Sequence, residues 1–140
     1  MVKKGFTLIE TMIVIVVIGI MLGFALPRFN SRQAKYNATV DNIIDQLNTA
    51  RQEAATKNIT TSFYLSKDSF KYGDNVYRFP PKVFTYDYIN EEDFTFASPI
   101  QFLPGGKTDA VFAIQVIDSV GSKESIIYIF PSGYILKGTD

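Results

Sequence analysis

Residues 3–27 read KKGFTLIETMIVIVVIGIMLGFALP, and the interpretation of the whole chain begins from this stretch. Between Phe6 and Leu26 the only charged side chain is Glu10. A helix of that length measures about 30 Å, which is the thickness of the hydrocarbon core of a bilayer. Pro27 ends the apolar run and is expected to weaken the helix locally, because it has no amide for the Gly23 carbonyl. The sequence therefore predicts a transmembrane helix over residues 6–27.

A cleaved secretory signal does not explain this run. Such a signal has an apolar part of about 7–15 residues followed by a small-residue cleavage site, and no such site follows here. An uncleaved signal anchor would explain the length of the apolar run and the missing cleavage site. It would not explain Glu10 or the short basic leader with Lys3 and Lys4. Charge alone leaves the orientation open, since Arg28 and Arg32 follow the run on its other side.

Glu10 is the unusual residue of the apolar run. A carboxylate in a membrane span is costly and is a functional candidate by default. One alternative is that Glu10 lies in the first helical turn, where the helix dipole favours a negative charge. The other follows from a cut after Gly5, which would place a new amino terminus at Phe6, one helical turn from Glu10. The carboxylate would then pair with its own amino terminus or with that of a neighbouring subunit, and the second pairing would set the register between helices.

Residues 3–10, KKGFTLIE, resemble the class III leader of type IV prepilins and pseudopilin precursors. That family has a short basic leader, a Gly before the cut, an N-methylated Phe after it and a Glu at the fifth mature position. Gly5, Phe6 and Glu10 match this pattern, and Lys3 and Lys4 supply the leader charge. The resemblance implies that a prepilin peptidase cuts between Gly5 and Phe6 on the cytoplasmic side of the membrane.

The same resemblance implies where the protein resides and what it contacts. It would be a single-pass protein of the inner membrane with its C-terminal domain in the periplasm, assembled in a filament. The expected partners are other pilin or pseudopilin subunits, the prepilin peptidase, an inner-membrane assembly platform and membrane lipid. Glu10 would pair with the methylated amino terminus of a neighbouring subunit and fix its register.

Small or helix-weakening residues recur every four positions in the second half of the run, at Gly19, Gly23 and Pro27. Small residues on one face allow helices to approach closely in lipid. Ordinary tolerance of Gly and Pro in membrane helices is the alternative. The resemblance implies that this segment loosens in assembled filaments, so Gly19, Gly23 and Pro27 are predicted to serve helix packing and flexibility.

The rest of the chain changes from a helical to a strand pattern. Apolar residues at helical spacing predict an amphipathic helix over about 33–57, with Lys57-Asn58 as its stop. This apolar stripe comprises Val40, Ile43, Ile44, Leu47, Ala50 and Ala54. The predicted strands are 60–66, a hairpin over 70–77 around Gly73-Asp74, 83–89, 100–103, 111–117, 125–130 and 134–136, with a turn at Gly121-Ser122-Lys123.

These elements predict an α+β fold, in which a long N-terminal helix, half transmembrane and half amphipathic, packs on an antiparallel sheet or sandwich. The predicted domains are a leader over 1–5, a transmembrane helix over 6–27 and a globular pilin-like domain over 28–140.

Three segments of the globular part carry a weaker resemblance, to the GspH/FimT group of minor pseudopilins and minor pilins. They are LNTARQEAATKN (47–58), FLPGG (102–106) and IYIFPSG (127–133). This resemblance implies a minor pseudopilin, a structural subunit of the type II secretion pseudopilus that assists protein export. In that family the subunit at the extreme tip tends to lack this Glu, so the resemblance and Glu10 together imply a position near, but not at, the filament tip. The alternative is a minor pilin of a type IV pilus, acting in assembly initiation, adhesion, motility or DNA uptake.

Several functions are disfavoured by composition. The chain has no His and no Cys, which excludes Ser-His-Asp and Cys-His catalysis and His-based metal sites. We therefore predict no enzyme activity, cofactor or metal, and interpret the acidic run 90–93 as a solvated loop rather than a calcium site. Of 14 basic and 14 acidic residues, Lys3, Lys4 and Glu10 precede Pro27, so a net charge of −1 remains beyond it. A nucleic-acid partner is accordingly not expected.

Overall fold

A computed structural model describes residues 7–25, 31–97 and 99–138, and for residues 22–25 it describes the backbone alone. The chain divides into two units, residues 1–30 and residues 31–140. The described part of the first unit contains one helix, α1 (Leu8–Ala25). The second unit begins with helix α2 (Ser31–Lys57) and continues as eight strands. This arrangement confirms the predicted α+β class.

Helix α2 confirms the amphipathic helix predicted over 33–57. It begins two residues earlier, at Ser31, and ends at the predicted Lys57. Asn58 then adopts a left-handed conformation, with φ at 53°, which asparagine tolerates better than most residues and which stops the helix. Ile44 of the predicted stripe is only partly buried. The buried residues of α2 are Tyr36, Thr39, Val40, Ile43, Leu47, Ala50 and Ala54.

The strands form two four-stranded sheets in which every neighbouring pair is antiparallel. The first sheet has the order β3-β2-β1-β5, and the second has the order β4-β6-β7-β8. The strands are β1 (Thr61–Ser66), β2 (Ser69–Tyr72), β3 (Asn75–Arg78), β4 (Val83–Asp87), β5 (Ile100–Phe102), β6 (Phe112–Asp118), β7 (Lys123–Ile129) and β8 (Ile135–Gly138).

The hairpin predicted around Gly73-Asp74 is confirmed, since these residues join β2 to β3. Most other strand boundaries differ from the prediction by one or two residues, and two of these differences have an evident cause. Lys123 was expected in the β6–β7 turn, but it begins β7 because it extends the ladder as the partner of Asp118. The strand predicted over 83–89 ends at Asp87, because the Asp87 carboxylate accepts the amides of Ile89 and Asn90 and turns the chain.

The core lies where the apolar face of α2 meets the two sheets. Helix α2 lies against β1, β2, β5 and β8. Phe63 and Phe70 stack with ring centroids 5.2 Å apart, and Phe70 stacks in turn on Tyr77. A buried side chain of this size contributes about 1.5–3 kcal/mol when it is removed from water. The largest fully buried side chains of the strands are Phe63, Leu65, Phe70, Ile100, Phe102, Ile114, Val116, Ile127 and Ile129.

Two polar contacts attach the start of α2 to the second sheet. The Arg32 guanidinium donates to Asp118, with Nε 2.9 Å from Oδ2 and Nη2 2.5 Å from Oδ1. The Asp118 carboxylate is nearly inaccessible and also accepts the amide of Val120. The Tyr36 hydroxyl lies 3.0 Å from both the Val116 carbonyl, to which it donates, and the Ser125 hydroxyl. Burial raises the pKa of Tyr36.

The Arg32–Asp118 pair predicts a specific pH dependence of stability. The hydrogen bond from Arg32 holds the pKa of Asp118 well below its ordinary range. Stability from this pair is therefore complete above the ordinary carboxyl pKa of about 4 and is lost as the pH falls through the depressed value. We expect Asp118→Asn to lower the free energy of unfolding most at pH 7, and the difference from wild type to shrink towards pH 2–3. Urea unfolding of the full chain in detergent, monitored by the near-ultraviolet circular dichroism of tyrosine, measures the free energy of unfolding of both proteins at each pH.

Asp45→Asn is the matched control, since Asp45 is exposed on α2. It should leave stability nearly unchanged at each pH. A loss in Asp118→Asn that is equally large at low pH would contradict the ionic role of the carboxylate.

Candidate assembly site

The first turn of α1 presents the carboxylate singled out by the sequence. The Thr7 carbonyl accepts the amides of Glu10 and Thr11, at 3.0 Å and 3.2 Å. Glu10 thus lies in the first helical turn with its side chain exposed. This position is consistent with both roles considered above, because it is favourable for a negative charge and leaves the carboxylate open to a partner.

The large apolar side chains of α1 are exposed in the part of the helix whose side chains are described. From Leu8 to Met21 every large apolar side chain is at least 46% exposed, and these side chains lie on all sides of the helix. A helix that is apolar all round is stable where lipid or other helices cover it. At Gly19, no described atom outside the local helix backbone comes within 4 Å of the position that a Cβ would take.

Several predicted site residues fall outside the described residues. Lys3, Lys4, Gly5 and Phe6 precede them, and Pro27 lies between α1 and α2. Their roles in processing, leader charge and helix flexibility stay predictions. The backbone is α-helical at Gly19 and Gly23 and up to Ala25.

In the part of the chain that the structure describes, no helix combines the length and the apolar character required to cross a membrane. The span predicted over 6–27 extends beyond that part at both ends and stays a prediction.

In the globular unit, the segments 47–58, 102–106 and 127–133 meet around Arg51. Its Nη1 donates to the Gly133 carbonyl at 3.1 Å. A Cβ on Gly133 would lie 1.8 Å from the Gly106 carbonyl oxygen, and a Cβ on Gly106 would lie 3.0 Å from the Arg51 carbonyl oxygen. Both glycines have positive φ, at 73° for Gly106 and 80° for Gly133. The contact therefore needs glycine at 106 and 133 for both conformation and space.

The neighbouring residues of α2 have equally defined partners. Glu53 Oε1 accepts Lys57 Nζ at 2.6 Å, and Glu53 Oε2 accepts the Tyr72 hydroxyl. Lys57 and Tyr72 together lower the pKa of Glu53. Burial and the bond to Glu53 raise the pKa of Tyr72 to about 12. The C-terminal half of α2 is therefore bound to β2 through Glu53 and to the turn before β8 through Arg51.

The acidic run 90–93 lies in the connection between β4 and β5. Asp87 holds Asn90 through the amide and side chain of that residue, and Asp93 pairs with Lys67 at 3.0 Å. Over residues 7–25, 31–97 and 99–138 no group of three Asp or Glu is arranged to hold a metal ion. A groove of about 430 Å³ lies beside this run, between Phe94 and Phe112.

Sequence reasoning missed the partners of Arg32, Arg51 and Glu53. In the sequence Arg32 is a charge shortly after the apolar run, whereas its partner Asp118 lies 86 residues away. No local sequence pattern predicts a pairing over that distance. The sequence offers only an acidic residue shortly before a Gly-containing turn, Asp118 before Gly121, and in the structure a Cβ added to Gly121 would lie 2.6 Å from the Asp118 carboxylate.

Comparison with known proteins gives one match. Residues 1–26 match the prokaryotic N-terminal methylation motif. This match supports a type IV pilin-like protein that is processed by a prepilin peptidase and associates with other pilins, the class indicated by Gly5, Phe6 and Glu10. Searches of the curated proteins and of the solved structures gave no match.

The close contact at Gly133 predicts an unusually sensitive position. Gly133→Ala should lower the free energy of unfolding by roughly 3 kcal/mol or more, because it combines a left-handed backbone with a clash against main chain. Gly73→Ala is the matched control, since Gly73 also has positive φ, at 62°, but has open space around it. It should cost about 1–2 kcal/mol. Urea unfolding of both full-length variants compares them, and equal losses would show that the packing around Arg51 contributes little.

Proposed function

We propose that this protein is a minor pseudopilin: a non-catalytic, structural subunit of the type II secretion pseudopilus, anchored in the inner membrane and placed near the filament tip. The match of residues 1–26 to the N-terminal methylation motif carries the proposal. It supports the pilin-like class directly, and the assignment to type II secretion and the position near the tip go beyond it.

The geometry of α1 supports assembly through this helix. Prepilin peptidase would cut between Gly5 and Phe6 and leave Glu10 at the fifth mature position. The apolar side chains that α1 exposes on every side would then be covered by lipid and, on assembly, by helices of neighbouring subunits. The exposed carboxylate of Glu10 would pair with the methylated amino terminus of one neighbour. In apolar surroundings such a pair tolerates little displacement and therefore sets the axial register.

The contact around Arg51 supports the assignment to a minor subunit of the GspH/FimT type. The three segments on which that resemblance was based are distant in sequence, yet Arg51, Gly106 and Gly133 touch. A shared structural contact gives these residue types a physical reason to occur together.

A minor pilin of a type IV pilus is the second candidate, since it would have the same anchor and the same fold. The two candidates differ in the machine that the filament serves. Adhesion, motility and assembly initiation do not require a DNA-binding surface. DNA uptake would require clustered basic side chains, which the net charge of −1 beyond Pro27 does not favour.

Processing is the first test. Expression of the full chain with an active prepilin peptidase should remove residues 1–5 and add one methyl group to the amino terminus of Phe6. Intact mass and N-terminal sequencing measure both changes. A peptidase inactivated at its catalytic aspartates is the control and should leave Met1 in place. An intact leader in both strains would reduce the protein to a signal-anchored domain and overturn the proposal.

Complementation of a deletion strain tests the role of Glu10 and the choice of machine. Loss of the wild-type protein should reduce export of secreted proteins while type IV pili remain; the reverse would favour the minor pilin. Glu10→Val should restore roughly tenfold less activity than wild type, because the neighbour's amino terminus then lies unpaired in apolar surroundings. Thr11→Val, one residue further along the helix, is the matched control and should restore full activity. Full complementation by Glu10→Val would exclude the pairing role.

A further inference from the structure

Strand β8 is an edge strand of the second sheet, with β7 as its one neighbour in the sheet order. Hydrogen-bonded positions recur at every second residue along an antiparallel ladder. Phe130 donates its amide to the Tyr134 carbonyl at 2.9 Å, so the next bonded position in β8 is Leu136. The N–H and C=O groups of Ile135 and Lys137 therefore point away from β7. Within the described residues, these backbone groups have no hydrogen-bond partner on that side.

The opposite edge of the same sheet, β4, is covered by the chain itself. The amides of Thr85 and Asp87 donate to the carbonyls of Lys67 and Glu92, at 2.8 Å and 2.9 Å. The Thr85 hydroxyl also donates to the Ser66 carbonyl at 2.7 Å. Proteins generally cover or block the edges of their sheets, because an open edge can pair with another chain. In the part of the chain that the structure describes, β4 has such a cover and β8 has none.

The edges of the first sheet are also less suited to pairing than β8. Strand β5 has three residues, and short edge strands pair poorly. Charged side chains, which discourage pairing, surround β3: Lys71 on the neighbouring strand, Asp74 in the turn and Arg78 at its end. The one charged side chain of β8, Lys137, is held by Asp41 of α2 at 3.1 Å, and the ion pair offsets its charge.

The outer face of β8 adjoins a cluster of exposed apolar side chains. The rings of Tyr128, Phe130 and Tyr134 stack in sequence, with centroids 6.4 Å and 6.2 Å apart. Tyr134 is 57% exposed and Leu136 is 43% exposed. The Ile135 side chain, on the other face of the strand, packs against the core. A strand added beside β8 would bring every second side chain next to this cluster.

The inner face of the same edge borders a polar groove. The groove has a volume of about 360 Å³, and its lining includes Tyr36 and Asn37 of α2, Ser125 of β7 and Lys137 of β8. The two faces of the edge therefore differ, one being apolar and the other polar. This difference suits a segment in which apolar and polar residues alternate, because successive side chains of a strand point to opposite faces.

We propose that β8 binds an extended segment of another protein, which joins the second sheet as a fifth strand, antiparallel to β8. The open backbone of Ile135 and Lys137 selects this occupant, because an extended chain supplies donors and acceptors at the matching spacing. The apolar side chains of the segment cover Tyr134 and Leu136, and its polar side chains face the groove. This binding site lies in the globular unit and goes beyond the assembly role proposed for α1.

Amide hydrogen exchange of the full chain in detergent tests whether the edge is open. The Lys137 amide should exchange roughly tenfold or more faster than the Leu136 amide, because Leu136 is bonded to β7. The two amides belong to adjacent residues, so each serves as the other's control. Equal exchange rates would show that the edge is already covered and would overturn the proposal.

A labelled peptide tests the binding itself. The probe is a short fluorescein-labelled peptide that alternates valine with threonine, and its fluorescence anisotropy should rise saturably with the full-length protein. In an antiparallel pair, directly opposed bonded residues have side chains on the same face. The threonine amides of the peptide therefore bond to Ile135 and Lys137, whose side chains lie on the inner face.

Two methylated peptides separate backbone pairing from side-chain contact. N-methylation of the threonine amides should abolish binding, whereas N-methylation of the valine amides, which point away from β8, should leave binding nearly unchanged. The two peptides have the same composition and the same tendency to enter detergent. Absence of saturable binding by the parent peptide, or equal binding by the two methylated peptides, would overturn the proposal.

A pair of substitutions at Lys137 locates the contact on the protein. Lys137→Pro removes the edge N–H at a position where an edge strand tolerates proline, and should weaken peptide binding roughly tenfold. Lys137→Ala is the matched control, since it loses the same charge but keeps the N–H, and it should bind as the wild type does. Near-ultraviolet circular dichroism checks that both variants fold. Wild-type binding by Lys137→Pro, or an equal loss in both variants, would overturn backbone pairing at β8.

These experiments need neither a processed leader nor an assembled filament. Their failure would remove the strand-binding site and leave the proposed function standing. An intact leader in the processing experiment, together with peptide binding at β8, would do the reverse.

Discussion

The globular unit depends on the burial of one face of α2. Ala50 and Ala54 are fully buried, and their small side chains let the helix lie close to the strands. The Thr61 hydroxyl, at the start of β1, donates to the Ala50 carbonyl at 2.9 Å in this buried region. Such an approach is possible only when the helix and the first sheet pack without large side chains between them, so this contact sets how closely β1 lies to α2. The aromatic stack from Phe63 to Tyr77 packs in the same core as the buried face of α2.

The two units of the chain satisfy opposite physical conditions. Within the described residues of the globular unit, every buried polar side-chain atom has a hydrogen-bond partner. The hydrogen bonds of the buried side chains in this unit are therefore satisfied. Helix α1 has large apolar side chains exposed from Leu8 to Met21 and a carboxylate in its first turn. The exposed apolar side chains are unfavourable in water and become favourable where other apolar groups surround the helix, whereas the carboxylate becomes costly there unless it is paired. The asymmetry explains why the assembly role is assigned to α1 and the folding role to α2.

Local pattern predicted the elements well, because each signal lies within a few residues. The stop at Lys57-Asn58 and the turn at Gly73-Asp74 depend on backbone conformations that those residue types favour. The sequence could not predict which strands form each sheet, since β1 pairs with β5 across more than thirty residues and no local feature selects that partner. For the same reason Glu10 could be identified as a candidate from sequence, as a charge in an apolar run, whereas the partners of Arg32 and Arg51 could not.

The bond between Arg32 and Asp118 also has a consequence for biosynthesis. The two residues are 86 positions apart, so at about 5–20 residues per second the carboxylate is made roughly 4–17 s after the guanidinium. Throughout that interval Arg32 is a free positive charge shortly after the apolar run, where charges influence how a helix inserts. In the proposed insertion of residues 6–27, Arg32 would oppose Lys3 and Lys4 of the leader while the orientation of the span is decided. Once β6 folds, Asp118 pairs with Arg32, so one side chain would serve first in the proposed insertion and later in the folded domain.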